Sequence, residues 1–142
     1  MDKLNAMIQG IGIDMVEKSR IEHAVSRWGD RFLCRIFSPD EIRLCRQKGD
    51  RIGAFAARFA AKEAILKCLG VGWADGIRWQ DMEILNTTSG SPEIRLSGKV
   101  ARLVNGGRLH LSLTHERGVA AAFAVLEGTN LGIVQAKPGA GS

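Results

Sequence analysis

Two carboxylates on separate predicted elements, Asp14 and Glu63, are the residues of this chain best suited to chemistry. Lys62 stands directly beside Glu63. Magnesium in proteins usually takes one or two carboxylates, keeps several waters and completes its shell with phosphate oxygens. These side chains therefore suit a magnesium ion bound to a phosphorylated substrate, with Lys62 meeting the phosphate charge.

Each carboxylate also has a purely structural interpretation. Asp14 could cap the helix that follows its strand, and Glu63 could form an i,i+4 salt bridge with Lys67. Gly10 and Gly12 favour a functional role for Asp14, because they clear space on the same strand face for a ligand or another backbone. The residues alone leave both interpretations open.

A second polar group lies on a predicted strand near the end of the chain. His110, Ser112 and Thr114 alternate with leucines, and His115 ends the strand. Hydroxyls and imidazoles are useful donors to phosphate, although the solvated face of an edge strand would have the same pattern. No Cys/His zinc pattern, Walker loop or nucleophile elbow occurs in the sequence.

The predicted first helix carries a basic stripe, Arg20, Arg27 and Arg31, beside an apolar one. The apolar residues that repeat at helical spacing are Ile21, Val25, Trp28 and Phe32. The net charge of +5 and the pI near 9.5 favour an acidic partner such as nucleic acid, a phosphorylated ligand or an acidic protein. A solvated basic face is the structural alternative for the stripe.

The order of the predicted helices and strands that position these groups indicates an α+β domain, because helices cluster early in the chain and strands late. Ser38, Pro39 and Glu41 form a strong helix start with a capping box. In chain order we expect a strand at residues 8–16, a first helix around 20–32, a helix from Ser38 to near Gly49, a helix at 54–69, strands at 77–85 and 93–96, a short helix at 97–105, and strands at 109–114 and 119–126.

The helix at residues 54–69 places charges in an apolar setting and ends at Gly70. Arg58 and Lys62 share one of its faces. Buried charges need partners, which could be protein side chains or a ligand. A third face of small side chains, formed by Ala57, Ala61, Ala64 and Cys68, suits close backbone packing.

Length and composition indicate one soluble domain at residues 1–127, followed by a glycine-rich tail at 128–142 that we expect to be partly disordered. No apolar run approaches the roughly 20 residues that span a bilayer, and the start lacks a secretory signal pattern. Three scattered cysteines, Cys34, Cys45 and Cys68, favour reduced thiols in the cytoplasm.

Four motifs resemble the holo-[acyl-carrier-protein] synthases, the small 4′-phosphopantetheinyl transferases, in the family's order and spacing. They are Gly10-Ile11-Gly12-Ile13-Asp14-Met15-Val16-Glu17 with Arg20-Ile21 after it, Arg58-Phe59-Ala60-Ala61-Lys62-Glu63-Ala64, the Gly70/Gly72 loop leading to Asp81-Met82-Glu83-Ile84, and Leu111-Ser112-Leu113-Thr114-His115. The resemblance covers about residues 8–127.

This resemblance implies an antiparallel sheet packed against a long central helix and shorter helices. It implies transfer of the 4′-phosphopantetheine arm of coenzyme A to a serine of apo-acyl carrier protein, with release of 3′,5′-ADP. Asp14 and Glu63 would be the Mg²⁺ ligands. Lys62, with the strand that carries Ser112, Thr114 and His115, would hold the phosphates of coenzyme A.

The resemblance also implies a homotrimer with active sites between subunits. The acidic recognition helix of the carrier protein would dock on Arg20, Arg27 and Arg31. One departure concerns an aromatic residue, usually Tyr, that relatives often carry shortly after the His-Glu segment. Gly118 and Val119 stand there in this chain, which has no Tyr, so neither residue can supply a stacking or hydroxyl contact from that position.

Two other functions compete with the transferase. A nucleic-acid-binding module would suit the basic pI, but interleaved aromatics and recognisable nucleic-acid motifs are absent, and it leaves Asp14 and Glu63 unexplained. A magnesium-dependent phosphohydrolase acting on coenzyme A or a nucleotide would use the same carboxylates, yet it would not need the arginine stripe.

Overall fold

The computed structural model describes residues 7–128, which form five helices and five strands. The helices are α1 (Lys18–Trp28), α2 (Asp30–Ile36), α3 (Pro39–Arg46), α4 (Arg51–Leu69) and α5 (Gly98–Val104). The strands are β1 (Met7–Glu17), β2 (Met82–Asn86), β3 (Pro92–Leu96), β4 (Arg108–His115) and β5 (Val119–Gly128). Apart from Gly128, which ends β5, the predicted tail lies outside the described residues.

The strands form two antiparallel sheets. One sheet has the order β1-β5-β4, and β2 pairs with β3 in a separate hairpin. Helix α4 packs on the inner face of the three-stranded sheet and is buried along almost its whole length. The predicted α+β fold, with an antiparallel sheet against a long central helix, is confirmed.

Close contact between β1 and α4 explains the two glycines of the first strand. A Cβ atom at Gly12 would lie 2.0 Å from the Ala64 carbonyl oxygen, and one at Gly10 would lie 2.1 Å from that of Cys68. Ala64 and Cys68 belong to the small-residue face of α4, so the predicted close packing is present. The glycines therefore admit another backbone, as one of the two sequence interpretations proposed.

The helix ends follow local sequence in most places. Ser38 and Glu41 form the predicted capping box at the start of α3, and Gly70 ends α4 in the left-handed conformation, with φ of 71°. Gly29, with φ of 55°, divides the predicted first helix into α1 and α2. The stripe expected on one helix therefore spans two, because Arg31 lies on α2.

Two further expectations from the sequence need correction. A 3₁₀ turn at Trp79–Asp81 precedes β2, so the strand predicted from residue 77 begins only at Met82. Asp14 does not cap α1, since the residue at the N-cap position is Glu17 and no side chain caps that end.

The part of the outer sheet face that β1 and β5 form is apolar and uncovered in the single chain. Ile11, Ile13 and Met15 of β1 are 57%, 60% and 64% exposed, and Phe123 of β5 is 43% exposed. Such a patch of neighbouring large side chains is typical of a protein–protein contact. Within residues 7–128, none of the helices is long and apolar enough to traverse a bilayer.

Candidate active site

Asp14 and Glu63 face each other across the contact between β1 and α4. Asp14 projects from the inner face of β1, because its register partner, Ala122, is a core residue. The Lys67 ammonium lies one helical turn from Glu63 and donates to Asp14 Oδ1 at 3.2 Å and to the Ile13 carbonyl oxygen at 3.2 Å. The site thus contains two acids and one cation.

The half-buried position of Glu63 raises the pKa of its carboxyl group above the ordinary value, because burial penalises the charged form. The nearby Trp73 side chain opposes this rise in pKa, while the Asp14 charge adds to it. The cations Lys67 and Arg20 lower the pKa again. Glu63 and Asp14 are therefore close enough to repel each other, which a shared cation would relieve.

The donor set suits magnesium on a phosphorylated ligand. Within the described part of the chain, no group of three or more His, Cys, Asp or Glu side chains could hold a metal ion. A cation between Asp14 and Glu63 would therefore need oxygen ligands from water or substrate. Magnesium binds in this way, whereas structural zinc requires four protein ligands.

Lys62 lies outside this group, which corrects the expectation that it meets phosphate. Its side chain is fully buried, and its ammonium donates to Glu41 Oε1 at 2.8 Å, the Ile36 carbonyl at 2.8 Å and the Trp79 carbonyl at 3.3 Å. All three protons are used within the protein. Lys62 directly precedes Glu63 on α4, so the two side chains are separated by a rotation of about 100° about the helix axis. The Lys62 side chain therefore points toward the core.

The polar strand residues do not join Asp14 in the same chain. Ser112 lies opposite Phe123, which lies opposite Ile13, so Ser112 belongs to the outer sheet face. Thr114 is exposed on that face too. The carboxylates are on the inner face, two strands away, so these hydroxyls and the carboxylates do not adjoin within one chain.

His115 turns to the inner face and lies beside the first turn of α4. Its Nδ1 atom is 3.5 Å from Asp50 Oδ2. Asp50 caps α4 by accepting from the Gly53 backbone N–H. This imidazole is one third exposed, so it remains available to a ligand.

A cavity of about 460 Å³ connects β4 with the start of α4. Its lining includes three basic side chains, Lys48, Arg58 and His115, together with Thr114. The Arg58 guanidinium is held by Asn86 Oδ1 at 2.7 Å and the Ile84 carbonyl at 3.1 Å. A larger cavity of about 800 Å³ between α2 and α3 contains none of the predicted site residues.

The three arginines of the stripe are exposed, and the first of them adjoins the carboxylates. The Arg20 guanidinium lies over the Phe59 ring at 5.6 Å, and its charge lowers the pKa of Glu63. Arg27 lies over the neighbouring Trp28 ring at 5.0 Å. Arg31, on α2, lines a shallow cleft with Trp28. The basic surface therefore begins at the edge of the acidic site.

Sequence reasoning underestimated Lys67 and missed Trp73. Lys67 entered only as a salt-bridge partner for Glu63, although its spacing from Glu63 already placed both on one helix face. Trp73 belongs to the glycine-rich loop after α4, and its approach to Glu63 depends on how that loop folds back. No periodicity in a short loop could have indicated this contact.

Comparison with known proteins finds relatives of one family. Residues 10–124 match the family model of the 4′-phosphopantetheinyl transferase superfamily. A protein of Koribacter versatilis named holo-[acyl-carrier-protein] synthase is 45% identical over 124 residues, which are 85% of this chain and 99% of the relative. A protein of the same name from Methylorubrum extorquens is 45% identical over 128 residues, 85% of this chain and 94% of the relative.

Solved structures agree with the fold. The crystal structure of the Neisseria meningitidis holo-[acyl-carrier-protein] synthase superposes with a TM-score of 0.78 at 32% identity, covering 86% of this chain and 100% of that one. The Helicobacter pylori enzyme in complex with coenzyme A has a TM-score of 0.71 at 38% identity, covering 82% and 98%. With the family motifs assembled around β1 and α4, this chain belongs to the 4′-phosphopantetheinyl transferase superfamily.

Proposed function

We propose that this protein is a holo-[acyl-carrier-protein] synthase, which moves the 4′-phosphopantetheine group of coenzyme A to a serine of apo-acyl carrier protein and releases 3′,5′-ADP. The observation that carries the proposal is the Asp14–Lys67–Glu63 group next to the exposed Arg20. An acidic metal site bordered by a basic surface suits a phosphorylated substrate and an acidic protein acceptor. Relatives of this name match almost their entire length.

The reaction forms one phosphorus–oxygen bond and breaks another. The serine oxygen of the carrier attacks the pyrophosphate phosphorus that bears pantetheine, 3′,5′-ADP leaves, and the serine proton passes to a water held by one of the two carboxylates. Magnesium, held by Asp14 and Glu63, would neutralise the pyrophosphate charge and orient it for in-line attack. Lys67 orients Asp14 and adds positive charge where the leaving group develops negative charge.

A homotrimer explains the separation of the polar strand from the carboxylates. Ser112 and Thr114 share the outer sheet face with Ile13 and Phe123, so an interface on this apolar face would bring them to a neighbouring chain. There, with His115 and the basic cavity beside it, they would hold the phosphates of coenzyme A. Oligomeric proteins commonly form closed rings of this kind.

The basic surface on α1 and α2 is proposed as the dock for the carrier. Arg20 lies beside the carboxylates, which would bring the carrier serine to the reacting phosphate. Replacing both Arg20 and Arg27 by Glu is expected to weaken carrier binding at least about tenfold, since each reversal replaces attraction by repulsion. Coenzyme A affinity should not change, and calorimetry measures both. Carrier affinity equal to that of the wild type would exclude the docking surface.

One assay tests the main proposal. The protein is incubated with coenzyme A, Mg²⁺ and a cognate apo-carrier, and the carrier is then weighed by mass spectrometry. A gain of one phosphopantetheine group is expected, and Asp14→Ala and Glu63→Ala should abolish it. Release of 3′,5′-ADP without any carrier would instead indicate a phosphohydrolase.

The three thiols support a proposal about the compartment. Cys34, Cys45 and Cys68 are all free in the structure. Free thiols persist in reducing surroundings, so we propose a cytoplasmic location, where acyl carrier proteins and coenzyme A would be available together.

A further inference from the structure

The reaction outlined above makes no use of the buried ion pair between Lys62 and Glu41. Both side chains are fully buried, with Nζ and Oε1 2.8 Å apart. Burying two charges costs several kcal/mol, and good hydrogen bonding must offset it. The Lys62–Glu41 pair is therefore tolerated in the core because its donors and acceptors are hydrogen-bonded. The same hydrogen bonds fix the position of each side chain.

Glu41 supplies the contacts on one side of this pair. Its Oε1 atom accepts from the Ser38 backbone N–H at 2.9 Å, and its Oε2 atom accepts from the Ile84 backbone N–H at 2.8 Å. Through this carboxylate, Lys62 is joined to the first turn of α3 and to β2. The rotation of α4 about its axis is thereby tied to two other elements at the residue directly before Glu63.

Lys62 also holds the segment that reaches back to Glu63. Its ammonium donates to the Trp79 carbonyl, and the next residue, Gln80, donates through Nε2 to the Cys34 and Arg35 carbonyls at 3.0 and 2.8 Å. With the bond from Lys62 to the Ile36 carbonyl, the last turn of α2 is connected to the Trp79–Asp81 turn. This turn is therefore fixed from both α2 and α4.

An aromatic stack continues from that turn to the acidic site. The Trp79 ring lies 5.2 Å from Phe59 and 3.8 Å from Trp73, measured between centroids. The Trp73 side chain in turn lies close enough to the Glu63 carboxylate to lower its pKa. Lys62, Trp79 and Trp73 thus form a continuous series of contacts that ends at the Glu63 carboxylate.

We propose that Lys62 and Trp73 are positioning residues: Lys62 anchors the Trp79 turn, the turn supports the Trp73 ring, and the Trp73 indole orients the Glu63 carboxylate toward its metal ion. This inference rests on the proposed function for the role of Glu63. Partners that orient a metal ligand commonly contribute 10- to 100-fold to metal affinity or activity.

Trp73→Phe tests the last contact, because it keeps a ring in the stack and removes only the indole N–H. We expect the dissociation constant for Mg²⁺, measured by calorimetry with coenzyme A present, to rise about tenfold. The turnover number should fall while the KM for the carrier is unchanged. Trp28→Phe, a change of the same kind at an exposed tryptophan away from Glu63, should leave Mg²⁺ affinity unaltered. An unaltered Mg²⁺ affinity in Trp73→Phe would overturn the proposal.

Lys62→Met tests the anchor, but alone it leaves a buried unpaired Glu41 that threatens folding. Lys62→Met is therefore combined with Glu41→Gln, which removes both charges. We expect backbone amides at residues 73–81 to exchange with deuterium about tenfold faster in this double variant, and Mg²⁺ affinity to fall. Adding Trp73→Phe to the double variant should then weaken Mg²⁺ binding by less than Trp73→Phe does in the wild type. The reason is that the effects of substitutions at residues linked by contacts are not additive.

Two results would contradict the anchor. Unaltered exchange at residues 73–81 would show that Lys62 does not hold the turn, and weaker coenzyme A binding with unaltered Mg²⁺ affinity would assign Lys62 to phosphate. Metal affinity and deuterium exchange are measured without turnover, so they test the roles of Lys62 and Trp73 separately from the proposed reaction. Failure of the wild-type protein to modify the carrier would reject the proposed function instead.

Discussion

At the scale of single residues, this protein places similar side chains in opposite environments. Lys62 and Lys67 are both on α4, yet Lys62 is fully buried with three protein acceptors and Lys67 is one third exposed beside Asp14. The difference follows from helix geometry, since five residues on α4 correspond to a rotation of about 140°. Lys67 therefore reaches the site, and Lys62 supports it.

Replacing Lys67 by Met is expected to lower the turnover number about 100-fold, because a cation beside the reacting phosphate is lost. The fold should be retained, since the methionine keeps the apolar stem and the ammonium is partly solvated. Carrier mass measured over time gives the rate. Lys99→Met, at a lysine that contacts the Asp75 carbonyl on another part of the surface, is the matched control. Equal rates in the two variants would exclude Lys67 from the reaction.

The three thiols should differ in reactivity. Burial raises the pKa of Cys45 and of Cys68 from 9.0 to about 11, whereas Cys34 is exposed. Near pH 8 a thiol reagent should therefore modify one cysteine in the native protein and three in denaturant.

The buried thiols also make stability depend on pH, because the thiols of the unfolded chain ionise at lower pH than those of the folded protein. The contribution of Cys45 and Cys68 to the free energy of unfolding is therefore complete below pH 9.0 and falls as the pH rises toward 11.

At the scale of elements, the contact between β1 and α4 builds the acidic site. The strand approaches the helix backbone so closely that only glycine fits at two positions. This approach brings Asp14 to the face that carries Lys67 and Glu63. A slight separation of the two elements would break the bond between Lys67 and Asp14, so packing and chemistry depend on the same contact.

Gly12→Ala should therefore destabilise the protein by about 3 kcal/mol, because its Cβ would overlap the Ala64 carbonyl and overpack the contact. Magnesium affinity should fall with it. Urea denaturation of the variant measures the loss of stability. Gly118→Ala is the control, since a Cβ atom there meets nothing within 4 Å, and its stability should stay within about 0.5 kcal/mol of the wild type. Equal stability in both variants would contradict the packing explanation.

At the scale of the whole molecule, the two halves of the proposed site lie on opposite faces of one sheet. The carboxylates occupy the inner face, and Ser112 and Thr114 occupy the outer one. Under the proposed function, one coenzyme A molecule would contact the two halves on different chains. The exposed apolar residues on the outer face offer the interface through which a second chain would supply the missing half.

Mixing two inactive variants tests this arrangement. Asp14→Ala lacks the acidic half, and Thr114→Ala combined with His115→Ala lacks the phosphate-holding half. The two variants are dissociated, mixed in equal amounts and reassembled. If the site is shared between subunits, about one quarter of the interfaces in the resulting trimers should contain an intact site. Transfer to the carrier should then reappear. No recovery in mixed trimers confirmed by native mass spectrometry would indicate a site within one chain.

Local signals predicted much of the fold. The capping box at Ser38, the left-handed stop at Gly70 and the alternation in β4 are all present where short-range chemistry indicated them. The break at Gly29 and the late start of β2 were missed, because apolar periodicity continues through both positions. For the candidate site, the sequence identified Asp14 and Glu63 as a pair, but it assigned Lys62 to phosphate from its position beside Glu63 and from the family resemblance.

By itself the sequence determined the family and the α+β class, and it pointed to the two carboxylates as candidate ligands, since these inferences depend on residue type, spacing and local propensity. Only the tertiary structure decided which lysine accompanies the acids, that Trp73 contacts Glu63, and that the polar strand faces away from Asp14. The physical reason is that a buried charge takes its partners from elements distant in the chain. Those partners, Glu41, Ile36 and Trp79 for Lys62, exist as a set only after the helices and strands have packed.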